Sequence, residues 1–306
     1  MKRAFTLLEL IIVIVILGII AMMSFNAIMN IYSNYFQTRT VNELETQTEI
    51  ALEQISKRLE HRIKPSVIAR KPSGGFLPLN DSRVNLNSGY EILEFIPYAY
   101  EIFNDVPSGN KAGRYSGYAD LTKSSPATGL ISPGSNFSTE VVETIKDLTC
   151  KENASGCVDF KDKDGGVVAI FSDVYYDVQN SFGYKGILNL DIAKVGVKSI
   201  DGDTLEISGF ANKQISEQYH LAYTANAIVP EQSADPKDTA NGVFDLNLYY
   251  DYRPWMGQGY KNGEKATLAK NVTRFVFIEK NGVIVLKLCM RAKNSEITIC
   301  KSKAVY

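Results

Sequence analysis

The sequence contains little of the chemistry that enzymes and metalloproteins use. Its 306 residues include two histidines, one tryptophan and four cysteines. It has no phosphate-binding glycine loop, no His-Glu-x-x-His helix and no nucleophile elbow. The cysteines lack both the short spacing and the neighbouring histidines of a zinc site. We interpret His61 and His220 as surface or packing residues, and we predict no catalysis, no cofactor and no metal ion.

One acidic segment, Asp162-Lys163-Asp164-Gly165, is weakly similar to a calcium-binding loop. In the EF-hand register, however, Phe160 would occupy the position of the first aspartate ligand. The favoured interpretation of this segment is therefore a hairpin turn rather than a metal site.

The N-terminal segment has almost no polar residues. From Phe5 to Met23 every residue is apolar except Thr6 and Glu9. This is about the length that a helix needs to cross a hydrocarbon core of ~30 Å. Lys2 and Arg3 precede the run, so the positive-inside rule places that end in the cytoplasm and the following chain outside.

Three other interpretations of this segment compete with a specialised membrane helix. A secretory signal peptide needs small residues at two positions before its cleavage site, and Ala21, Ser24 and Ala27 do not supply a good pair. A buried core helix would be shorter and would rarely occupy this position. A plain membrane anchor leaves Glu9 unexplained, since a carboxylate at the centre of a membrane helix costs about 2.5–3.5 kcal/mol. Glu9 is therefore a candidate functional residue that needs a partner.

The run Lys2-Arg3-Ala4-Phe5-Thr6-Leu7-Leu8-Glu9 resembles the processing site of type IV prepilins and pseudopilins. The resemblance implies that residues 1–4 are a leader peptide. A dedicated membrane aspartyl peptidase would cut between Ala4 and Phe5 and then methylate the new N-terminus at Phe5. The family strongly favours glycine before the cut. Because Ala4 is also small, we expect slower processing rather than none.

The resemblance also places Glu9 at the position where the family has a glutamate that sets assembly register. Cleavage would leave a charged amine at Phe5, at a helix start that already carries a positive partial charge and unsatisfied N–H groups. In lipid, Glu9 of a neighbouring subunit can pair with that amine, which satisfies two costly groups at one particular stagger. The alternative is that Glu9 neutralises the amine of its own chain, one helical turn away.

The N-terminal helix is predicted to cover residues 5–64, with its transmembrane part in residues 5–25. Pro65 disfavours helix at Lys64, and a continuous helix of this length would extend about 90 Å. An apolar stripe at three- and four-residue steps should pack on a globular domain, while the charged residues between its members should be solvated. The stripe consists of Val41, Leu44, Thr48, Leu52, Ile55, Leu59 and Ile63, and the charged residues are Glu43, Glu45, Glu49, Glu53, Lys57 and Arg58.

After Pro65 the pattern changes to short segments rich in β-branched and aromatic residues. Glu279-Lys280-Asn281-Gly282 predicts a hairpin because Asn-Gly suits a type I′ turn, and residues 108–134 and 230–241 are predicted loops. The predicted fold class is α+β: a long N-terminal hydrophobic helix packed on a mainly antiparallel sheet, with residues 65–306 forming an extracytoplasmic globular domain. The predicted strands are Ile92–Tyr98, Val167–Phe171, Ile187–Ala193, Thr204–Ile207, Tyr219–Leu221, Val243–Tyr252, Val272–Ile278, Val283–Met290 and one through Ile297–Cys300.

The four cysteines form two pairs that are local in sequence. An even number in a chain that is exported favours disulfides, although four cysteines allow three connectivities. Strand alternation puts Cys289 and Cys300 on one face, opposite the apolar face, so a bridge between them is sterically possible. Cys150 and Cys157 would close a short loop. A disulfide near the end of a helix-plus-sheet subunit is also similar to the pilin family.

Charge is divided unevenly along the chain. Residues 253–306 contain 11 Lys or Arg and 3 Asp or Glu, whereas residues 5–252 contain 20 basic and 31 acidic residues. A basic segment of this kind can bind a phosphate backbone, which makes DNA a candidate partner. The favoured interpretation is that these charges dock on an acidic neighbouring subunit or are simply solvated.

The predicted function is that of a structural subunit, a minor pilin or pseudopilin of a type IV pilus-like filament. The implied partners are other pilins or pseudopilins, the prepilin peptidase and an inner-membrane assembly platform. The predicted location is the bacterial inner membrane, single-pass with a cytoplasmic N-terminus before processing, and then the periplasm, pilus or cell surface. The large globular part and the retained Glu9 favour a priming subunit close to the tip. The alternatives are a tip module that binds DNA or a surface, and a pseudopilin of a type II secretion system.

Overall fold

The first element is a helix of 54 residues, α1 (Leu7–Glu60). At 1.5 Å per residue it extends about 80 Å. The computed structural model describes residues 7–84, 89–103, 115–150, 156–186, 190–210, 213–293 and 295–306.

The C-terminal end of α1 comes slightly before the predicted position at Lys64. Ile63 is already extended, with φ −81° and ψ 106°, and its N–H donates to the carbonyl oxygen of Ile96 at 2.9 Å. Pro65 then lies in a 3₁₀ turn, Lys64–Ser66. Pro65 therefore does not set the end of the helix as predicted, because α1 already ends at Glu60 and Lys64 itself lies in the 3₁₀ turn. A strand hydrogen bond at Ile63 moves the boundary further back.

Four shorter helices and 13 strands follow among the described residues. The helices are α2 (Tyr100–Phe103), α3 (Thr139–Thr149), α4 (Val178–Ser181) and α5 (Pro236–Ala240). The strands are β1 (Ile68–Arg70), β2 (Phe76–Pro78), β3 (Ile92–Phe95), β4 (Leu130–Ile131), β5 (Val168–Phe171), β6 (Ala193–Val197), β7 (Thr204–Ser208), β8 (Tyr219–Ala222), β9 (Ala225–Gln232), β10 (Phe244–Tyr252), β11 (Glu264–Lys280), β12 (Val283–Arg291) and β13 (Thr298–Val305).

The strands form two sheets. Eight of them make the larger sheet in the order β13-β12-β11-β10-β9-β3-β1-β2, and five make the smaller sheet in the order β4-β7-β6-β5-β8. Every pairing between described strands is antiparallel. A long helix on a large antiparallel sheet is an α+β fold, so the predicted fold class is confirmed.

The C-terminal half of α1 covers one face of the larger sheet, mainly over β11, β12 and β13. The predicted stripe is confirmed over most of its length, with two exceptions. Val41 is only half-buried, and Ile63 belongs to a different core between the sheets. The buried residues of α1 are Leu44, Thr48, Ala51, Leu52, Ile55, Ser56 and Leu59.

The opposite face of the larger sheet packs on the smaller sheet through β5. All four residues of β5 are buried. Because side chains alternate along a strand, Val168 and Ile170 join the core between the sheets, while Ala169 and Phe171 join the core beneath α3. The chain therefore has three layers behind α1: the larger sheet, the smaller sheet, and the helix α3.

The predicted hairpin between β11 and β12 is confirmed. Lys280 pairs with Val283, and the two residues between them, Asn281 and Gly282, have φ values of 54° and 79°. Both positive values are what a type I′ turn requires, and asparagine and glycine tolerate them best.

Three predictions about the middle of the chain were wrong or incomplete. The strand predicted at residues 187–193 lies partly outside the described residues, and β6 begins only at Ala193. The two predicted loops contain β4, the end of β9, and α5. Helix α3 was not predicted, although Ser138 caps it by accepting a hydrogen bond from the N–H of Val141. That serine before an amphipathic run was the available signal.

Candidate assembly interface

The N-terminal half of α1 projects away from the globular part. Leu44 is the first buried residue along the helix, so the preceding residues from Leu7 extend about 55 Å without contact to a core. An 18-residue window in this helix has a mean hydropathy of 2.9, and none of it is buried. By length and composition this segment can cross a membrane. A row of large apolar side chains this exposed needs either lipid or other protein around it.

Glu9 is the first acidic residue of α1 and lies in its first described turn, with its side chain exposed. Its neighbours Leu8 and Leu10 are exposed as well. The predicted cleavage and methylation residues, Ala4 and Phe5, lie outside the described residues. The arrangement presents one carboxylate on an otherwise apolar rod, near the end of the helix that carries a positive partial charge.

Three exposed aromatic residues, Tyr32, Tyr35 and Phe36, follow the apolar run. Aromatic side chains of this kind concentrate at membrane–water interfaces, because the ring is apolar and the tyrosine hydroxyl is polar. These residues lie before Leu44, where α1 first becomes buried. The helix therefore has an apolar part, an aromatic boundary and a part that packs on the sheet, in that order.

The globular part holds α1 through a row of charge pairs at the edge strand β13. Lys301 Nζ lies 2.5 Å from Glu49 Oε2 and 3.2 Å from Glu45 Oε1, and Lys303 contacts Glu53. These glutamates were predicted to be solvated. Alternation along β13 puts Lys301 and Lys303 on the same side as the inward-facing Ile299, which brings them against the helix. Part of the basic character of residues 253–306 is thus neutralised within the chain.

Arg62 makes a second attachment, which the sequence did not suggest. Its guanidinium is buried and donates to three carbonyl oxygens: Leu59 at 2.7 Å, Gly282 at 3.1 Å and Tyr306 at 3.2 Å. It therefore joins the last turn of α1 to the β11–β12 hairpin and to the residue after β13. A single arginine near a helix end gives no sequence signal of such contacts, because its partners are backbone atoms far away in the chain.

We expect Lys303→Glu to lower the thermal unfolding midpoint of the full chain by about 1–3 °C, because it places a carboxylate against Glu53 at an exposed position. Adding Glu53→Lys should restore the midpoint. Lys303 lowers the pKa of Glu53 through a hydrogen bond. The contact therefore contributes above the unfolded-state pKa and is lost as pH falls through the folded-state pKa. If the double variant with the reversed pair keeps the lowered unfolding midpoint, the contact has no energetic role.

Both local cysteine pairs are bonded in the structure. Cys150 is joined to Cys157 next to the end of α3, and Cys289 is joined to Cys300 across β12 and β13. Cys289 and Cys300 are direct register partners, as strand alternation indicated. The second disulfide lies on the face of the sheet away from α1, so it ties the edge strand to its neighbour without entering the core beneath the helix.

The acidic loop forms a turn whose carboxylates hold backbone and side-chain donors. Asp162 Oδ1 accepts from the N–H of Asp164 at 3.0 Å, and Asp159 Oδ1 accepts from that of Lys161 at 2.9 Å. Asp164 in turn accepts from the hydroxyl of Ser208 at 2.9 Å. These contacts are typical of Asx turns, in agreement with the interpretation of this segment as a turn.

The two histidines pack against aromatic rings. The ring of His61 stacks on Tyr100, with centroids 4.2 Å apart, and its Nδ1 lies 3.0 Å from the hydroxyl of Tyr98. His220 packs against Tyr98 at 5.2 Å, and burial lowers the pKa of its imidazole. His220 thus matches its interpretation as a packing residue, while His61 lines a cleft between the end of α1 and the rest of the molecule.

Comparison with known families agrees with this geometry. Residues 1–25 match the family described as "Prokaryotic N-terminal methylation motif". In this N-terminal segment the chain is similar to type IV pilin-like proteins. The match covers the predicted leader, the predicted cleavage site and most of the exposed apolar part of α1, and together with that helix it indicates membrane anchoring. No curated protein and no solved structure shows a significant match, so the globular part of this pilin-like chain is understood from its own structure.

Proposed function

We propose that this pilin-like chain is a minor subunit of a type IV pilus-like filament, with a role in priming or in a position near the tip. The observation that carries the proposal is the exposed apolar half of α1, which bears Glu9 and begins with the methylation motif. Such a helix can be stable in a membrane as a monomer, with lipid around its apolar half, and can later pack against the helices of other subunits instead. The conformation of the globular part need change little when the lipid contacts are replaced by helix contacts.

The proposed sequence of events follows from the charges at the helix start. Cleavage between Ala4 and Phe5 creates an amine at the positive end of the helix dipole. In an apolar surrounding this amine and the Glu9 carboxylate are each costly alone and satisfied as a pair. An ion pair between the amine of one subunit and Glu9 of its neighbour would fix the axial offset between their two helices. An ion pair within one subunit would keep the monomer stable in the membrane before assembly.

The proposed partners and location follow from the same helix. Other pilins or pseudopilins would surround α1, the prepilin peptidase would act at Ala4, and an assembly platform in the bacterial inner membrane would extract the subunit. Residues 65–306 would lie outside the cytoplasm, where both disulfides are chemically stable. The charge pairs and Arg62 would keep α1 fixed to this part when the subunit is moved.

The first test is the N-terminus of the assembled protein. We expect mass spectrometry of sheared surface filaments to detect this chain beginning at Phe5, with one methyl group on its amine. Ala4→Gly should increase the rate of processing severalfold in a pulse-chase, since glycine is the residue that the family favours there. A chain that keeps Met1, or that is cut near Ala27, would contradict the proposal.

The second test separates the candidate roles. Deletion of a priming subunit should shorten or abolish filaments, whereas deletion of a tip-binding module should leave filaments intact and remove attachment. A loss of protein secretion with surface pili unchanged would instead identify a type II secretion pseudopilin. DNA binding by the basic segment is the less favoured candidate, because Lys301 and Lys303 already contact carboxylates of α1.

A further inference from the structure

A cleft of about 680 Å³ opens at the junction of α1 with the rest of the molecule. Its walls come from the last turn of α1, the segment that leads from β3 into α2, the end of α3, and strands β9 and β10. The volume lies in the range of ordinary small-molecule sites. None of the described residues of the methylation motif, from Leu7 onwards, lines it, so this cleft requires a separate explanation.

Four tyrosines, Tyr98, Tyr100, Tyr223 and Tyr250, line the cleft. Tyr100 and Tyr250 are each 39% exposed. Tyr100 is held against His61, with the rings 17° from parallel, and Tyr98 fixes His61 through its hydroxyl. Rings that are held in place by packing, yet remain open to solvent, can receive an apolar ligand face with little loss of side-chain entropy.

A distortion in β10 places a carboxylate on the wall beside Tyr250. Asp251 has φ 56° and lies in an irregularity of the β9–β10 register between Tyr249 and Tyr252. A residue other than glycine rarely adopts this conformation, and bulges commonly redirect a side chain near a site. The N–H of Asp251 donates to Thr224 Oγ1 at 3.0 Å, which holds the distorted backbone.

The lining of the cleft includes the carboxylate of Glu101, and one of its two oxygens has no donor in the described part of the chain. Glu101 Oε2 is buried and has no hydrogen-bond partner among the described residues. Burial raises the pKa of Tyr223, and so do the negative charge of Glu101 and a hydrogen bond between the two side chains, so Tyr223 already engages this carboxylate while Oε2 has no donor among these residues. A buried acceptor without a donor destabilises the fold. A ligand hydroxyl that donates to Glu101 would remove this cost.

The charges around the cleft balance one another. Lys57 and Arg58 are exposed on the rim, opposite Glu101 and Asp251 on the walls. Asp251 is also compensated by Arg253, whose Nη1 lies 2.9 Å from its Oδ1. A phosphate-rich ligand would meet two carboxylates, and a cation would meet the two basic side chains. The lining therefore favours a ligand without net charge.

We propose that this cleft binds a neutral saccharide, whose ring packs on Tyr100 and Tyr250 and whose hydroxyl groups donate to Glu101. The C–H groups on the face of a sugar ring match the negative face of a tyrosine ring. The hydroxyl groups match the carboxylate acceptors, and Asn226 and Thr224 add amide and hydroxyl groups to the lining. This inference does not depend on the proposed filament role.

The test uses the full chain in octaethylene glycol monododecyl ether, a detergent without a sugar or a charge. Maltotriose, cellotriose, mannotriose and the neutral N-acetylated chitotriose are titrated by calorimetry, with choline and a single-stranded DNA oligonucleotide as comparison ligands. We expect saturable binding of at least one trisaccharide and none of choline or DNA. Tyr250→Ala and Tyr100→Ala should each weaken binding at least about fivefold, because each removes one ring contact. Tyr250→Phe should change it by less than about twofold, because the ring is kept.

Tyr175→Ala is the matched control, since Tyr175 is 90% exposed and lies outside the cleft. It should leave saccharide binding unchanged. A second measurement uses the unsubstituted chain: nitration of Tyr100 and Tyr250 should slow in the presence of the bound trisaccharide, while nitration of Tyr175 should not. The proposal is overturned if no trisaccharide binds, if choline or DNA binds in its place, or if neither tyrosine is protected.

Discussion

Glu9→Gln chains are expected to enter filaments at least about ten-fold less often than unsubstituted chains. The substitution removes the charge at nearly unchanged size, so membrane insertion and peptidase cleavage should continue. What is lost is the proposed partner of the amine at Phe5, which would then be buried in an apolar helix bundle without a counter-charge. Glu9→Leu should have the same effect, although it makes the helix more apolar and easier to insert.

The measurement is a ratio of amounts. Quantitative immunoblots of sheared filaments and of the membrane fraction give the share of each variant that has been assembled. Glu60→Gln is the matched control, because Glu60 is an exposed glutamate at the other end of α1. Equal shares for the Glu9 variants and the control would show that this carboxylate does not set register.

Replacing Arg70 by methionine is expected to lower the thermal midpoint by at least about 6 °C. Arg70 Nε lies 2.6 Å from Glu94 Oε2, and the Glu94 side chain is 1% exposed. The pair lies in the layer between the two sheets, where Tyr252 donates to Glu94 Oε1 at 2.8 Å. Leaving a buried charge without its partner typically costs about 3–5 kcal/mol. For a domain of this size each kcal/mol lowers the midpoint by about 2–4 °C.

The pH dependence identifies the cause of this loss. Burial raises the pKa of the Glu94 carboxyl, and Arg70 opposes that rise. A carboxyl whose folded-state pKa lies above its unfolded-state value destabilises the fold increasingly as pH rises above the unfolded value. Without Arg70 the folded-state pKa rises further. The deficit of the variant should therefore shrink as pH is lowered from about 7 to about 5, because the buried group takes up a proton.

A second substitution provides the control. Arg70→Met combined with Glu94→Gln removes both charges and should recover most of the lost midpoint, since an uncharged pair carries no ionic desolvation cost. Differential scanning calorimetry of the full chain in detergent measures all three proteins. The Arg70 guanidinium also lies over the rings of Phe76 and Tyr184, 4.9 Å and 5.9 Å from their centroids. An equal loss in the single and double variants, or a deficit independent of pH, would show that the loss of these ring contacts outweighs the charge.

Several features followed from the sequence because they depend on neighbouring residues. Three of these features can be inferred from short stretches of sequence: the apolar run with Glu9, the stripe from Leu44 to Leu59, and the Asn281-Gly282 turn. The first two show in the spacing of apolar residues, and the third shows in the backbone preferences of asparagine and glycine. The family match depends on the same local run. Alternation also placed Cys289 and Cys300 on one face, because only a short turn separates their strands.

The tertiary structure decided what depends on residues far apart in the chain. Alternation puts Lys301 and Lys303 on the inward side of β13, but their partners on α1 lie about 250 positions earlier. The position of β3 beside β9 and the burial of Glu94 depend in the same way on strand pairings between distant segments. The residues next to each strand do not indicate those pairings. The cleft is the clearest case: α1, α2, β9 and β10 each contribute only a few of its residues, and the conformation of Asp251 arises from a register irregularity. Periodicity determines which face of an element is apolar, whereas the free energy of packing decides which elements meet.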